Sequence, residues 1–104
     1  MNEPGIRFEW DEAKNVANQR KHSISFEDAS EVFRDPLYVS LKERIVDGEQ
    51  RWQTYGEVGG SVLVMVAHTF KEESRSGIVT EVIRIISARY APRKERQRYE
   101  VENG

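Results

Sequence analysis

The 104-residue chain contains no cysteine and only three prolines, and its longest apolar run is the short stretch from Val62 to Ala67. Without cysteine it can build neither a disulfide framework nor a thiolate metal site, and a reducing compartment fits. An apolar run of that length is far below the roughly 20 residues a membrane-spanning helix needs. The N-terminus also lacks the basic-then-apolar layout of a signal peptide. The chain is therefore expected to be cytoplasmic and to make no use of a membrane. Nucleotide-binding glycine motifs and metal-ligand clusters are missing as well. Gly59-Gly60 is an isolated pair that reads as a hairpin turn. The carboxylates are scattered, which gives no support to a paired-carboxylate hydrolase, and Ser87 has no readable Ser-His-Asp context. Neither a cofactor nor a metal is expected.

What is present suffices for one compact domain over residues 1–104. At 38% apolar content such a chain buries roughly two-thirds of its unfolded surface. The net charge of −2 argues against broad nucleic-acid binding, but the charges are unevenly placed. From Arg84 to Arg98 six cations (Arg84, Arg89, Arg93, Lys94, Arg96 and Arg98) stand against one acid, Glu95. That is a local charge of +5, which leaves −7 for the rest of the chain. An arginine-rich helix alone is an ordinary solvated face. Here an apolar strand, Ile83 to Arg89, runs directly into it, and a strand that fixes arginines beside a basic helix start makes a local anion site suited to phosphate.

Along the chain, Ile6 to Trp10 alternates as a short strand does. Asp11 offers an N-cap for a helix to about Lys21, with Ala13, Val16 and Ala17 as its apolar stripe and Asn15, Asn18 and His22 on the opposite, polar face. Ser25 caps a second helix, with Asp28 at its third position and Phe26, Ala29, Val32 and Phe33 on one side. Asp35-Pro36 ends it. Leu37 to Leu41, Gln50 to Glu57, Ser61 to Phe70 and Val79 to Arg89 alternate with period two. Asp47-Gly48, Gly59-Gly60 and a polar loop from Lys71 to Gly77 separate them, so an antiparallel meander is expected. In the last strand Val79, Glu81, Ile83, Ile85, Ser87 and Arg89 share one face, and Val82, Arg84 and Ile86 the other. A helix from Pro92 to about Glu102 closes the domain.

His22 and His68 are the side chains with a pKa suited to proton transfer near neutrality. His22 also suits the cationic end of the first helix. His68 continues the apolar series Val62, Val64 and Val66 and reads as a satisfied histidine at the edge of the core. Arg84, between Val82 and Ile86, requires either an acidic partner or a ligand anion to offset its desolvation.

Several blocks together resemble a known family. Phe8-Glu-Trp-Asp-Glu-Ala-Lys14, Asn18-Gln-Arg-Lys-His22, Ser25-Phe-Glu-Asp-Ala29 with Val32-Phe33, and Arg84-Ile-Ile-Ser-Ala-Arg89 with Glu95 and Tyr99-Glu100 are similar, in this order, to the BrnT-type toxins of bacterial type II toxin-antitoxin systems. The resemblance implies an α+β, RelE-like fold. That fold has an antiparallel sheet of about four strands plus a short N-terminal strand, two N-terminal helices and one C-terminal helix. It further implies an RNA-cleaving toxin that forms a hetero-oligomer with a BrnA-like ribbon-helix-helix antitoxin and meets operator DNA only through that complex. The chain departs from the family pattern twice. Ser23 stands where glycine usually follows Lys-His, and it is expected to take a left-handed conformation at a cost of roughly 1 kcal/mol. Pro92 stands in place of a capping threonine.

Metal-independent RNA cleavage needs a proton acceptor, a proton donor and cations around the phosphorane. Arg84 and Arg89 are the expected phosphate-stabilising residues of the catalytic set. His22 serves as acid or base, with Lys21 as its alternative, and Arg51, Arg93, Lys94 and Arg96 are expected to bind RNA phosphates. The rival reading is a non-catalytic module whose basic surface docks a protein partner or nucleic acid.

Overall fold

The turns fix how the strands fold back. Asp47 and Gly48 (φ 50° and 80°) and Ser76 and Gly77 (φ 51° and 80°) both place two successive residues at positive φ, as a two-residue hairpin of type I′ requires. The computed structural model describes residues 5–103, so residues 1–4 and 104 of the expected domain lie outside the described part. Within it the order is β1 (Gly5–Glu9), α1 (Glu12–His22), α2 (Phe26–Ala29), a 3₁₀ segment (Ser30–Arg34), β2 (Val39–Val46), β3 (Glu49–Val58), β4 (Val62–Arg75), β5 (Ile78–Tyr90) and α3 (Arg93–Asn103).

The described residues form one five-stranded sheet in the order β1-β5-β4-β3-β2. β2 to β5 make the expected antiparallel meander. β1, by contrast, crosses over to pair in parallel with β5, Phe8 opposite Ile83 and Glu9 opposite Arg84. Several expected boundaries move. The anticipated loop from Lys71 is strand as far as Arg75, because a two-residue turn at Ser76-Gly77 lets both flanking strands run to the tip. Leu37 precedes β2 rather than opening it, since its N–H is held by the Asp35 carboxylate at 2.9 Å. The second helix is a single turn that tightens into 3₁₀ geometry before Asp35.

Each face of the sheet carries its own core. On one face Ile24, Phe26, Ala29 and Val32 pack on Val64, Val66, Ile83, Ile85 and Ala88. On the other, Tyr99 of α3 packs with Tyr55, Leu63 and Met65. The first layer lies close to the sheet. A Cβ on buried Gly56 would stand 2.7 Å from the Val32 carbonyl oxygen, so β3 admits the 3₁₀ segment only where it has no side chain.

Both N-caps form as expected: Asp11 Oδ1 accepts from Lys14 N and Ser25 Oγ from Asp28 N. The face that α1 buries is the reverse of the expected one. Ala13, Val16 and Ala17 are exposed, whereas Asn15 and Asn18 are buried, 0% and 6% accessible. Their amides explain this. Asn18 Nδ2 donates to the carbonyls of Ile24 and Ala88 (2.9 Å each), and its Oδ1 accepts from Ala88 N (3.1 Å). Asn15 Oδ1 accepts from Phe26 N at 2.8 Å, and its Nδ2 donates to Glu12 and Glu27. β1 pairs no further than Arg84, so the edge of β5 beyond that point meets the Asn18 amide, which bonds Ala88 as a neighbouring strand would. A polar face can seat a helix when every buried group is satisfied. Ser23, at φ 61° and ψ 28°, takes the expected left-handed conformation at the end of α1.

Two outcomes follow for stability. Asn18→Ala leaves the buried Ala88 N–H and two carbonyls without a partner and should cost roughly 2–4 kcal/mol in urea denaturation. Ser23→Gly removes the left-handed strain and should raise stability by about 1 kcal/mol, read as a higher Tm, with the unfolded-state entropy of glycine offsetting part of the gain.

Candidate functional site

The cations of the last third are organised by an irregularity in β5. Along β4, Met65, Ala67 and Thr69 alternate onto one face, and their partners on β5 are Arg89, Ser87 and Arg84. His68 pairs with Ile85, which leaves Ile86 as an extra residue opposite the Ala67–His68 step. Such a bulge reverses the alternation beyond it. Strict period two puts Arg84 and Arg89 on opposite faces, and the expected grouping of Arg89 with Ile83 and Ile85 is therefore corrected. Ile83, Ile85 and Ala88 face the helices, while Arg84, Ser87 and Arg89 face the α3 side. Arg84 is exposed rather than sandwiched between Val82 and Ile86, and among the described residues it joins no ion pair.

On this face the rows across the sheet run Gln53–Ala67–Ser87 and Tyr55–Met65–Arg89, with Thr69–Arg84 beside them. Small residues thus form a floor between longer polar ones. Arg51, two residues from Gln53, alternates onto the same face, and its buried Nε has no hydrogen-bond partner among the described residues. Arg84 and Arg89 sit opposite positions four residues apart on β4, about 13 Å along the strand. That spacing is too wide for a single anion and spans more than one internucleotide step of a strand. An open hollow beside Arg84 is also lined by Glu9, Trp10 and Asp11.

Arg89 is held from α3. Its two terminal nitrogens donate to the two oxygens of Glu95, at 2.9 and 3.1 Å, and both side chains remain about one-third accessible. Hydrogen bonding by Glu95 raises the Arg89 pKa against the opposing effect of burial, so the guanidinium stays charged. Tyr55 lies beside this pair. Burial first, and then the Glu95 charge, push its phenol pKa up, so it stays protonated. Its hydroxyl donates to Gln53 Oε1 at 3.3 Å.

Further contacts clamp α3 to the sheet. Arg96 Nη2 donates to Glu57 at 2.6 Å, and Tyr99 Oη donates to Asp35 Oδ2 at 2.6 Å. The same Asp35 oxygen accepts from Glu57 N at 2.8 Å. Burial pushes the Asp35 carboxyl up, but its bonds from Tyr99, Glu57 N and Leu37 N outweigh that and leave its pKa below the usual 3.8. Burial and the Asp35 carboxylate push the Tyr99 phenol far up.

The expected residues therefore divide. Arg51, Arg84 and Arg89 share a face. Arg93 and Lys94 are exposed at the start of α3, and Arg96 is engaged by Glu57. Lys21 and His22 end α1, which is joined to the edge of β5 through Asn18 and adds no residue to either core. Sequence reasoning missed Glu95 as the partner of Arg89, because the pair forms across a strand-to-helix turn with no periodic signature. It missed Tyr55 too, although Arg51, Gln53 and Tyr55 alternate as polar residues on one strand.

The helix-bearing face has a cavity of about 230 Å³ lined by Phe33, Tyr38, Trp52, His68 and Phe70 among others. His68 is buried, and both ring nitrogens are engaged. Nδ1–H donates to the Thr69 carbonyl at 3.1 Å, so Nε2 accepts from Thr54 Oγ1 at 2.6 Å. Burial lowers its pKa and keeps it neutral, in line with the reading of a satisfied core histidine. Among the described residues no three His, Asp or Glu side chains are grouped to hold a metal ion, and no helix is long and apolar enough to cross a membrane.

Comparison with known proteins now bears on this geometry. A family model described as "Ribonuclease toxin, BrnT, of type II toxin-antitoxin system" matches residues 10–95. The chain belongs to the BrnT toxin family. The match takes in α1, the whole meander and the start of α3 with Arg89 and Glu95, so the α3-side cluster lies inside the BrnT domain. The fold is similar to the crystal structure of the Brucella abortus ribonuclease toxin BrnT, with TM-score 0.54 and 23% identity over 86% of this chain and 99% of that one. No curated protein matches. Membership in a type II system brings an RNA substrate and a protein antitoxin.

The clamp on α3 generates a pH dependence. The folded pKa of Asp35 lies below its unfolded value, so Asp35 stabilises the fold above the usual 3.8, and that contribution is lost as pH falls through the folded value. Asp35→Asn should melt lower than wild type near neutrality, and the gap should narrow as pH drops below 3.8. A gap that stays constant in melting curves across that range would contradict this role.

Proposed function

We propose that the chain cleaves RNA without a metal ion, using the α3-facing surface of β3, β4 and β5 as its active face. The carrying observation is the placement of Arg84 and Arg89 on one face by the bulge at Ile86, over a floor of Ala67 and Ser87. In such cleavage the ribose 2′-OH attacks the adjacent phosphate. The phosphorane gathers negative charge, and preorganised cations that meet it lower the barrier. Here guanidiniums supply the charge. Arg89, fixed and about one-third accessible, meets the scissile phosphate, and Arg84 and Arg51 bind phosphates farther along the same strand. An antiparallel meander with α2 and the 3₁₀ segment on one face, and α3 beside the arginines on the other, supports a RelE-like reading of the fold.

The same surface is the docking place of the antitoxin, a BrnA-like ribbon-helix-helix protein whose acidic residues occupy the arginines and exclude RNA. Operator DNA then meets the toxin only through that complex.

Purified chain incubated with single-stranded RNA and EDTA should yield shortened products. Arg89→Ala should lower kcat by 10²–10³, the effect of removing one group that stabilises transition-state charge. Arg84→Ala should act chiefly through KM and weaken the salt dependence of RNA binding. Both variants should keep the wild-type fold by circular dichroism. RNA left intact by the wild-type chain, together with salt-dependent binding to an acidic protein partner, would favour the non-catalytic module.

A further inference from the structure

The proposed cleavage needs a group that takes the 2′-OH proton, and the α3 face of the described residues holds few acceptors near Arg89. Asp35 is committed to three hydrogen bonds and sits beneath Tyr99. Glu57 is tied to Arg96 at 2.6 Å. Tyr55 is held protonated. His68 is buried with both ring nitrogens engaged, and His22, at the end of α1, makes no hydrogen bond or ion pair with Arg89 or Glu95 among the described residues. Glu95 differs from these: it reaches the proposed phosphate position itself, occupying both terminal nitrogens of Arg89, and it is partly open to solvent.

We propose that Glu95 is the general base of RNA cleavage, brought into play when phosphate captures Arg89; this rests on the ribonuclease reading above. In the empty protein the carboxylate fills the fork that phosphate requires. A guanidinium has five N–H donors, so an incoming phosphate takes one edge of Arg89 while Glu95 keeps the other. That exchange frees one carboxylate oxygen and leaves it next to the phosphate, on the side where the adjacent 2′-OH lies. Glu95 accepts the 2′-OH proton, the 2′ oxygen forms its bond to phosphorus, and the bond from phosphorus to the 5′ oxygen breaks. The leaving 5′ oxygen takes its proton from water, and the hydroxide so formed takes back the proton held by Glu95, so the carboxylate is restored and the products are a 2′,3′-cyclic phosphate and a 5′-OH. Arg89 thereby couples substrate capture to release of the base, and Pro92, whose carbonyl accepts from Glu95 N at 2.9 Å, fixes the turn that places Glu95 there.

The test is Glu95→Gln, which preserves size and removes proton acceptance. With an end-labelled RNA oligonucleotide, kcat should fall at least about 100-fold, as loss of a general base does, with KM nearly unchanged. The rise of rate with pH on the acid side should vanish. The variant should also bind the 2′-O-methyl form of the same oligonucleotide, which lacks the nucleophile, several-fold more tightly than wild type, because no carboxylate then competes for Arg89. A carboxylate that merely braces α3 gives a different pattern: a lower melting temperature, weaker binding of the 2′-O-methyl RNA and an acid limb that persists. That pattern, or a kcat near wild type, overturns the proposal. If the wild-type chain itself leaves RNA intact, the ribonuclease reading falls and the base assignment falls with it.

Discussion

At Ile86 the last strand carries one residue more than its partner, and both faces of the sheet are arranged around that insertion. Before it, Ile83 and Ile85 point into the helix-side core. After it, Ala88 takes over that duty and Arg89 turns to the side where Arg84 already stands. A single extra residue leaves a ladder position unpaired, and in return it re-aims side chains without changing their order in the chain. Without it, Arg89 would enter the helix-side layer and Ala88 would lie on the α3 side.

The two helical layers are attached by different means. α1 is seated chiefly through amides: Asn15 and Asn18 satisfy one another's surroundings and the exposed edge of β5, with Asn18 standing in for a strand that ended at Arg84. Buried amides are costly when half satisfied and specific when fully satisfied, so this helix has one good position. α3 buries a single large side chain, Tyr99, and is held by polar clamps from Asp35, Glu57 and Arg89. Ion pairs open to solvent contribute little each. The first layer is therefore rigid scaffold, whereas the second is retained by contacts that charge and pH weaken.

Local signals were legible in the sequence, and non-local ones were not. The caps at Asp11 and Ser25, the stop at Asp35-Pro36, the hairpin at Asp47-Gly48 and the left-handed Ser23 each depend on a few neighbouring residues, and each appears as read. The buried face of α1 was misread because hydrophobic spacing is a rule about apolar burial, and here the partner of the helix is a row of backbone groups. The face of Arg89 was misread because a bulge has no compositional mark in Ile85-Ile86-Ser87. The gathering of cations from Arg84 onward was visible as charge, but its division into Arg84 without an ion pair among the described residues, Arg89 held by Glu95 and Arg96 held by Glu57 depends on where α3 lands.

The parallel pairing of β1 with β5 has a bearing on when the molecule comes into being. Residues 5–9 find their partners at residues 80–84, and Asn18 finds its own at Ala88. Contacts so distant along the chain close late, because loop entropy must be overcome first. During translation the segments that recognise one another are therefore kept apart until β5 has left the ribosome, and a nascent chain short of that point has neither a seat for α1 nor the paired arginine surface. For a toxin synthesised beside the machinery of its own cell, this sets a clock. The interval in which an antitoxin must be at hand opens with release of the last strand rather than with the first codon.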